Sequence, residues 1–174
     1  LQKKIKHALS QARLIDLKLE KFGSEFSFNK EKSKYFDESI QDDIINNYMD
    51  GIKLTFSNGQ INVEIKFYRM KNNAVTDESI LVYARLMLSW ILVIKEYESD
   101  NCVKNLTVDV YLTKNKKRLP DIVNRVIGAK NVNTAYTYRC LHGSTSITLY
   151  REEELMKVFF HETFHTFNMD FLNN

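Results

Sequence analysis

The feature that most limits the possible folds is an apolar run of fifteen residues, Ile80 to Ile94, interrupted only by Arg85 and Ser89. A helix of this composition is apolar on nearly all sides, so it has to lie between other elements of a core. About 20 residues are needed to cross a bilayer, so the run predicts no membrane span. Thr76, followed by two acidic residues, predicts where this buried helix begins.

Composition narrows the class of protein further. The chain has 174 residues, 44% of them hydrophobic, which suits one folded domain and excludes a disordered or low-complexity protein. A formal net charge of +3 is too small to indicate a polyanion, so no nucleic-acid partner is expected. Cys102 and Cys140 are too few and too far apart for a disulfide framework or a CxxC site. With no signal peptide visible, these two cysteines favour a reducing, intracellular compartment.

Hydrophobic periodicity predicts an α+β layout, divided into an N-terminal helical segment (residues 1–50) and a domain (residues 51–174). In the first segment we expect a surface helix over 1–21, a linker over 21–34, and a short helix that begins at Asp37 and is ended by Gly51. The domain should begin with a hairpin (Ile52–Phe56 and Ile61–Phe67) around a type I′ turn at Asn58-Gly59, followed by the buried helix as far as Tyr97. After it we expect a strand over Leu106–Leu112 and a short helix over Ile122–Ile127. The chain should then form two strands, Thr134–Arg139 and Ser146–Tyr150, and a last helix over Arg151–Phe167.

The last predicted helix carries the sequence His161-Glu162-Thr163-Phe164-His165, an HExxH motif. Residues four apart on a helix project from the same face, so the two imidazoles can bind one cation, and zinc accepts such ligands. Glu162 lies beside that face, where its carboxylate can take a proton from a metal-bound water. The motif therefore predicts Zn²⁺ as cofactor, His161 and His165 as metal ligands, and Glu162 as general base.

On these residues the chain resembles the zincin metallopeptidases, and more narrowly the uncharacterised zincin-like proteins of large DNA viruses. The resemblance implies a mixed sheet with a long buried helix and a C-terminal metal-binding helix. It also implies a zinc-dependent peptidase whose substrate is a peptide or protein. Members of the family bind an extended substrate along an edge strand that precedes the metal helix. By resemblance that strand would be Thr134–Arg139 or Ser146–Tyr150.

The third zinc ligand stays open at this stage. The metzincin pattern H-E-x-x-H-x-x-G-x-x-H has Asn168 in place of the glycine and Phe171, which cannot bind metal, in place of the ligand. Asn tolerates the left-handed conformation that ends a helix, so the helix can still end there. The ligand is then Asp170, a residue beyond Asn174, or one from upstream, unless the site is degenerate.

Two other functions remain open beside the peptidase. One is a non-catalytic zincin-like interaction domain whose metal site has lost a ligand. The other is a purely structural zinc site, in which Cys140 and His142 complete the coordination by His161 and His165. An ordinary buried cysteine and a histidine in a turn are the simpler interpretation of that pair.

Two further groups of residues have weaker signals. The basic run Lys114–Arg118 can contact phosphates, but without interleaved aromatic residues it is better interpreted as a solvated loop. Four residues near the presumed edge strand are candidates for stabilising the transition state: Tyr136, Tyr138, Arg139 and His142.

Overall fold

The computed structural model describes residues 2–15, 17–23, 27–32, 35–117, 131 and 133–169. Within these ranges the chain forms four α-helices and a sheet of six strands, a mixed α+β fold as predicted. The helices are α1 (Gln2–Leu14), α2 (Glu38–Asn47), α3 (Asp77–Lys95) and α4 (Leu155–Thr166). The strands are β1 (Lys18–Phe22), β2 (Tyr48–Ser57), β3 (Asn62–Met70), β4 (Asn105–Tyr111), β5 (Ala135–Thr137) and β6 (Ser144–Leu149). The short helix predicted over Ile122–Ile127 lies outside the described residues.

The sheet has the order β1-β2-β3-β4-β6-β5. Strands β3, β4 and β6 run parallel, and α3 lies between β3 and β4 in the chain, as a parallel connection requires. Strands β1, β2 and β3 pair antiparallel, and so do β5 and β6. Among the described strands, β5 therefore forms one edge of the sheet. The last helix, α4, follows its neighbour β6 in the chain.

Each face of the sheet has its own core. On one face the apolar side chains of β3, β4 and β6 pack against α3 and α4, in a cluster that includes Met87, Ile91 and Phe159. On the other face α2 covers an aromatic cluster of seven buried residues: Phe36, Ile40, Ile44, Tyr68, Met70, Tyr111 and Tyr150. Consecutive residues of a strand point to opposite faces, which is why alternating residues of β4 divide between the two clusters.

Helix α3 confirms the buried central helix, and its N-cap is the predicted one, since the Thr76 hydroxyl accepts a hydrogen bond from the Ser79 amide at 3.2 Å. The two polar residues of the run have internal partners. The Arg85 guanidinium donates to the carbonyl of Ala12, near the end of α1, and the Ser89 hydroxyl donates to the Arg85 carbonyl at 2.6 Å. Among the described residues, no helix has the length and apolarity that a membrane-spanning segment needs.

The predicted hairpin forms, as β2 and β3, but its turn differs from the prediction. Ser57 pairs with Asn62, so four residues close the hairpin, whereas a type I′ turn has two. The Asn58 side chain explains the difference, because its Oδ1 accepts hydrogen bonds from the amides of Gln60 and Ile61 at 3.0 and 3.1 Å. Only Gly59 has a positive φ in this loop, at 79°.

Two predictions for the first fifty residues are wrong in extent. The first helix ends at Leu14, and Lys18–Phe22 forms β1, which pairs with β2 and places Glu20 2.7 Å from the Lys53 ammonium. The second helix begins after Asp37, as predicted, but ends at Asn47. Gly51 lies inside β2, where the ring of Phe22 packs over it so closely that a Cβ would lie 2.1 Å from the ring. Tertiary contacts at these positions outweigh the local pattern.

The two cysteines are paired, although their small number and wide spacing favoured a reducing compartment. Cys102 and Cys140 form a disulfide, with Cα atoms 6.1 Å apart although 38 residues separate them in sequence. Cys102 precedes β4 and Cys140 follows β5, and the sheet brings these two ends together. The expectation of a reducing compartment rested on the small number and wide spacing of the cysteines, and the disulfide removes that support.

Candidate metal centre

The helix that carries the HExxH motif, α4, is held by side-chain hydrogen bonds on two sides. The Trp90 indole of α3 donates to the Thr163 hydroxyl at 2.7 Å, and its ring lies 5.0 Å from that of Phe160. On the β5 side, the hydroxyl oxygens of Thr137 and Thr166 lie 2.8 Å apart. Thr163 and Thr166 are fully buried, so the motif lies on a helix whose rotation is set by the core.

The helix starts later than predicted. Residues 152–154 precede it, so its first turn contains no acidic residue, and Glu154 occupies the N-cap position with a left-handed φ of 60°. Two lysines hold the Glu154 carboxylate, Lys117 at 2.8 Å and Lys157 at 2.6 Å, and they lower the pKa of Glu154 to about 2. The left-handed backbone at Glu154 interrupts the helical conformation, so the helix does not extend back to Arg151.

The end of α4 agrees with the interpretation of Asn168 as a left-handed helix terminator. Asn168 has a φ of 54°, and the Met169 amide donates to the Phe164 carbonyl at 2.8 Å. These bonds are those of a Schellman motif, in which one left-handed residue closes the helix. The side chain of Asn168 donates to the Asp100 carboxylate at 2.7 Å, a contact that the sequence does not suggest.

The two histidines of the motif lie on the same side of α4, as the spacing predicts. Their Nε2 atoms are 3.2 Å apart, and their rings are nearly perpendicular, at 87°. Two nitrogens that bind one zinc ion tetrahedrally, each at about 2.05 Å, lie about 3.3 Å from each other. The distance between the nitrogens therefore fits two ligands of one zinc ion. His161 is exposed and His165 half-buried, so the pair is accessible from solvent.

Glu162 lies between the two histidines in sequence and is partly buried. Burial raises the pKa of its carboxyl group, and electrostatic interaction with His161 and His165 opposes that rise. The carboxylate is thus close enough to both imidazoles to interact with them electrostatically.

The structure distinguishes between the two candidate edge strands. The strand β6 lies between β4 and β5, so Ser146–Tyr150 is internal, whereas β5 pairs only with β6 among the described residues. The amide of Tyr138 donates to Ser146 and that of Tyr150 donates to Thr134, so the even-numbered residues of β5 face β6. In an antiparallel pair the backbone groups of alternate residues point the other way, so those of Ala135 and Thr137 point away from β6, to an edge with which no described strand pairs.

The third ligand is not found among the described residues, in which no group of three His, Cys, Asp or Glu side chains converges to hold a metal ion. Asp170, the candidate nearest in sequence, lies outside the described residues. The structural site through Cys140 is contradicted, because the Cys140 sulfur is bonded to Cys102 and has no thiolate to offer. His142 lies in an exposed turn, with a φ of 50°, which confirms the simpler interpretation of that residue.

Two of the four candidate transition-state donors lie on the wrong face of the sheet. Tyr136 packs against the aromatic cluster under α2 and donates its hydroxyl to Glu31 at 2.9 Å. Tyr138 packs edge-to-face on Tyr136 at 5.8 Å. The alternation of the strand turns both rings away from α4, which contacts Thr137 between them.

The described part of the basic run behaves as a loop with local partners. Lys117 donates its backbone amide to Glu153 at 2.9 Å and its ammonium to Glu154, whereas Lys114 and Lys116 are exposed. The run therefore helps to fix the approach to α4. Its last residue, Arg118, lies outside the described residues.

Comparison of the chain with models of known protein families, with curated proteins and with solved structures gives no match.

Proposed function

We propose that this protein is a zinc-dependent metallopeptidase with a zincin-like arrangement of its sheet and helices. The observation that carries the proposal is the 3.2 Å separation of the His161 and His165 Nε2 atoms, with Glu162 beside them on a helix fixed by the core. The order of elements agrees with it: a long helix between parallel strands, an antiparallel edge strand, and the motif helix directly after β6.

The histidines and the glutamate have separate roles in this proposal. His161 and His165 would hold the metal through their imidazole nitrogens. Zinc bound there would supply a water whose pKa is lowered to about 7. The Glu162 carboxylate would take up a proton beside that site and return it to the leaving amine of the cleaved peptide bond. The third protein ligand comes from Asp170 or from another residue outside the described ranges.

The edge of β5 with which no described strand pairs supports a peptide as the substrate. An extended peptide can add to the sheet as a further strand, using the outward-facing backbone groups of Ala135 and Thr137. Thr137 also contacts Thr166, one residue after the second histidine, so a peptide on this edge runs next to the metal helix. Recognition through backbone groups accepts many sequences, which suits a peptidase.

Metal analysis combined with substitution tests the proposal. We expect about one zinc per chain in the wild type and in Glu162→Gln, and hydrolysis of a casein or mixed-peptide substrate only in the wild type. His161→Ala and His165→Ala should lose the zinc. His7→Ala, which changes an exposed histidine on α1, is the matched control and should keep both properties.

Two results would decide against the peptidase. Wild-type protein without stoichiometric zinc after growth in zinc-containing medium would remove the metal site altogether. Zinc-loaded wild type that cleaves none of the peptides would leave the non-catalytic interaction domain as the better interpretation. Activity in Glu162→Gln equal to that of the wild type would show that another residue is the base.

A further inference from the structure

The loop between α3 and β4, residues 98–104, touches both elements that flank the candidate metal centre, and we call it the bracing loop. Its Asp100 accepts the hydrogen bond from Asn168, at the end of α4. Its Cys102 is bonded to Cys140, three residues after the end of β5. One short loop therefore connects the end of the metal helix to the end of the edge strand.

The bracing loop is itself held firmly. Lys95 and Glu98 form an ion pair whose side chains are 7% and 0% exposed. The Glu98 carboxylate also accepts from the Val103 amide at 2.7 Å, and the Lys95 ammonium donates to the Val103 carbonyl at 2.6 Å. Buried charges that are paired and hydrogen-bonded resist displacement, because either partner left alone would be costly. The loop can thus act as a rigid support.

The edge strand depends on this support more than its neighbour does. Strand β6 pairs with β4 along its length, and the carbonyl of Gly143, just before it, accepts from the amides of Lys104 and Asn105. Strand β5 has three residues and pairs on one side only, among the described residues. Its other contacts are the hydroxyl pair of Thr137 and Thr166, the packing of Tyr136 in the aromatic cluster under α2, and the hydrogen bond from Tyr136 to Glu31. Besides the chain itself, the disulfide is the covalent link that joins the end of β5 to the bracing loop.

We propose that the Cys102–Cys140 disulfide positions the edge strand against the metal helix, and that reduction of this bond releases the strand. Both cysteines are partly exposed, so a small thiol can reach them. A thiolate of a low-molecular-weight thiol attacks one of the two sulfurs and forms a mixed disulfide. A second thiol then attacks the small-molecule sulfur of the mixed disulfide and displaces the remaining protein sulfur. In sum, two thiols are oxidised to one disulfide, and Cys102 and Cys140 take up two electrons and two protons as free thiols.

The consequence for the site is selective. Release of β5 alters the backbone edge that holds an extended peptide and removes the contact of Thr137 with Thr166. Helix α4 keeps its other two supports, the hydrogen bond from Trp90 and the bond from Asn168 to Asp100. Reduction therefore weakens peptide binding and leaves zinc bound. The effect on peptides rests on the proposed function, whereas the release of β5 does not.

Hydrogen–deuterium exchange of the full chain tests the release directly. We compare oxidised wild type, wild type treated with a phosphine reductant, and the Cys102→Ser/Cys140→Ser pair. In the last two samples the exchange of residues 134–140 should accelerate, by a factor roughly tenfold larger than the factor for α3, with the zinc content measured in parallel. The reductant should not alter the exchange of the serine pair, which makes it the control for reductant effects. Asn168→Gly, which keeps the left-handed conformation, should loosen the end of α4 and leave 134–140 protected.

Peptidase kinetics provide a further test, because a purely structural role of the disulfide would not raise KM selectively. In the serine pair, KM for a peptide should rise about tenfold while kcat stays within about threefold. The proposal is overturned if oxidised wild type has two titratable thiols, if 134–140 stay protected on reduction, or if α3 accelerates by the same factor. Should no peptide be cleaved, the proposed function fails, and the exchange data by themselves decide whether the disulfide positions β5.

Discussion

Substitution at the hydrogen bond between Trp90 and Thr163 is the most direct test of how α4 is held. Thr163→Val keeps the shape of a fully buried side chain but removes the acceptor of the indole N–H. A buried donor left without a partner costs about 1–3 kcal/mol, and the added methyl group recovers up to about 0.8 kcal/mol through burial. We therefore expect the free energy of unfolding to fall by about 1–2 kcal/mol, which lowers Tm by roughly 3–6 °C for a chain of this length.

A double-mutant cycle separates the hydrogen bond from other effects. Trp90→Phe removes the donor, so Thr163→Val in that background should cost less than in the wild type, with a coupling energy of about 1 kcal/mol. Thr163→Ser, which keeps the hydroxyl, is the matched control and should show little coupling with Trp90→Phe. Urea unfolding followed by far-ultraviolet circular dichroism suits all these variants, because it needs no tryptophan. A coupling energy below about 0.3 kcal/mol would refute the role given to this hydrogen bond.

Three other substitutions test separate parts of the structure. Burial raises the pKa of the Asp109 carboxyl group above 3.8, so the folded state binds the carboxyl proton more tightly than the unfolded state does. The free energy of unfolding therefore falls as the pH rises through the folded-state pKa. Asp109→Asn should therefore be more stable than the wild type near pH 7 and similar below about pH 4, and equal urea midpoints at both pH values would contradict this. Gly51→Ala should lower stability by about 1–3 kcal/mol through its clash with Phe22, and much less in a Phe22→Ala background, as thermal unfolding can measure. Replacement of Cys102 and Cys140 by serine should cost up to about 4 kcal/mol in urea unfolding for a loop of this length, and no change would mean that the bond contributes nothing to folding.

Local patterns were sufficient for several elements. Asp37 and Thr76 cap their helices because a side-chain oxygen and an amide two or three residues later are brought together by the chain itself. The apolar run of α3 had to be buried whatever surrounded it. The two histidines four residues apart are on one side of α4 for the same local reason, because the spacing sets where their side chains leave the helix. The 3.2 Å between their nitrogens depends in addition on the rotamers of the two rings.

Other features depended on partners far away in the sequence. Lys18–Phe22 continues a helical pattern, yet it is a strand because β2 offers it a pairing edge and a cross-strand partner for Glu20. Because β6 pairs with β4, β5 and not β6 lies at the edge of the described sheet. Neither choice can be made from a short window of residues, since strand pairing joins segments that the sequence keeps apart.

The sequence by itself determined the chemistry of the candidate site, namely two imidazoles and a carboxylate on one helical turn. The tertiary structure alone decided what holds that turn in place. Trp90, Thr137 and Asp100 come from three different elements, and the disulfide joins residues 38 positions apart. Spacing along a helix is a property of the local backbone, whereas these supports exist only after the sheet has brought distant segments together.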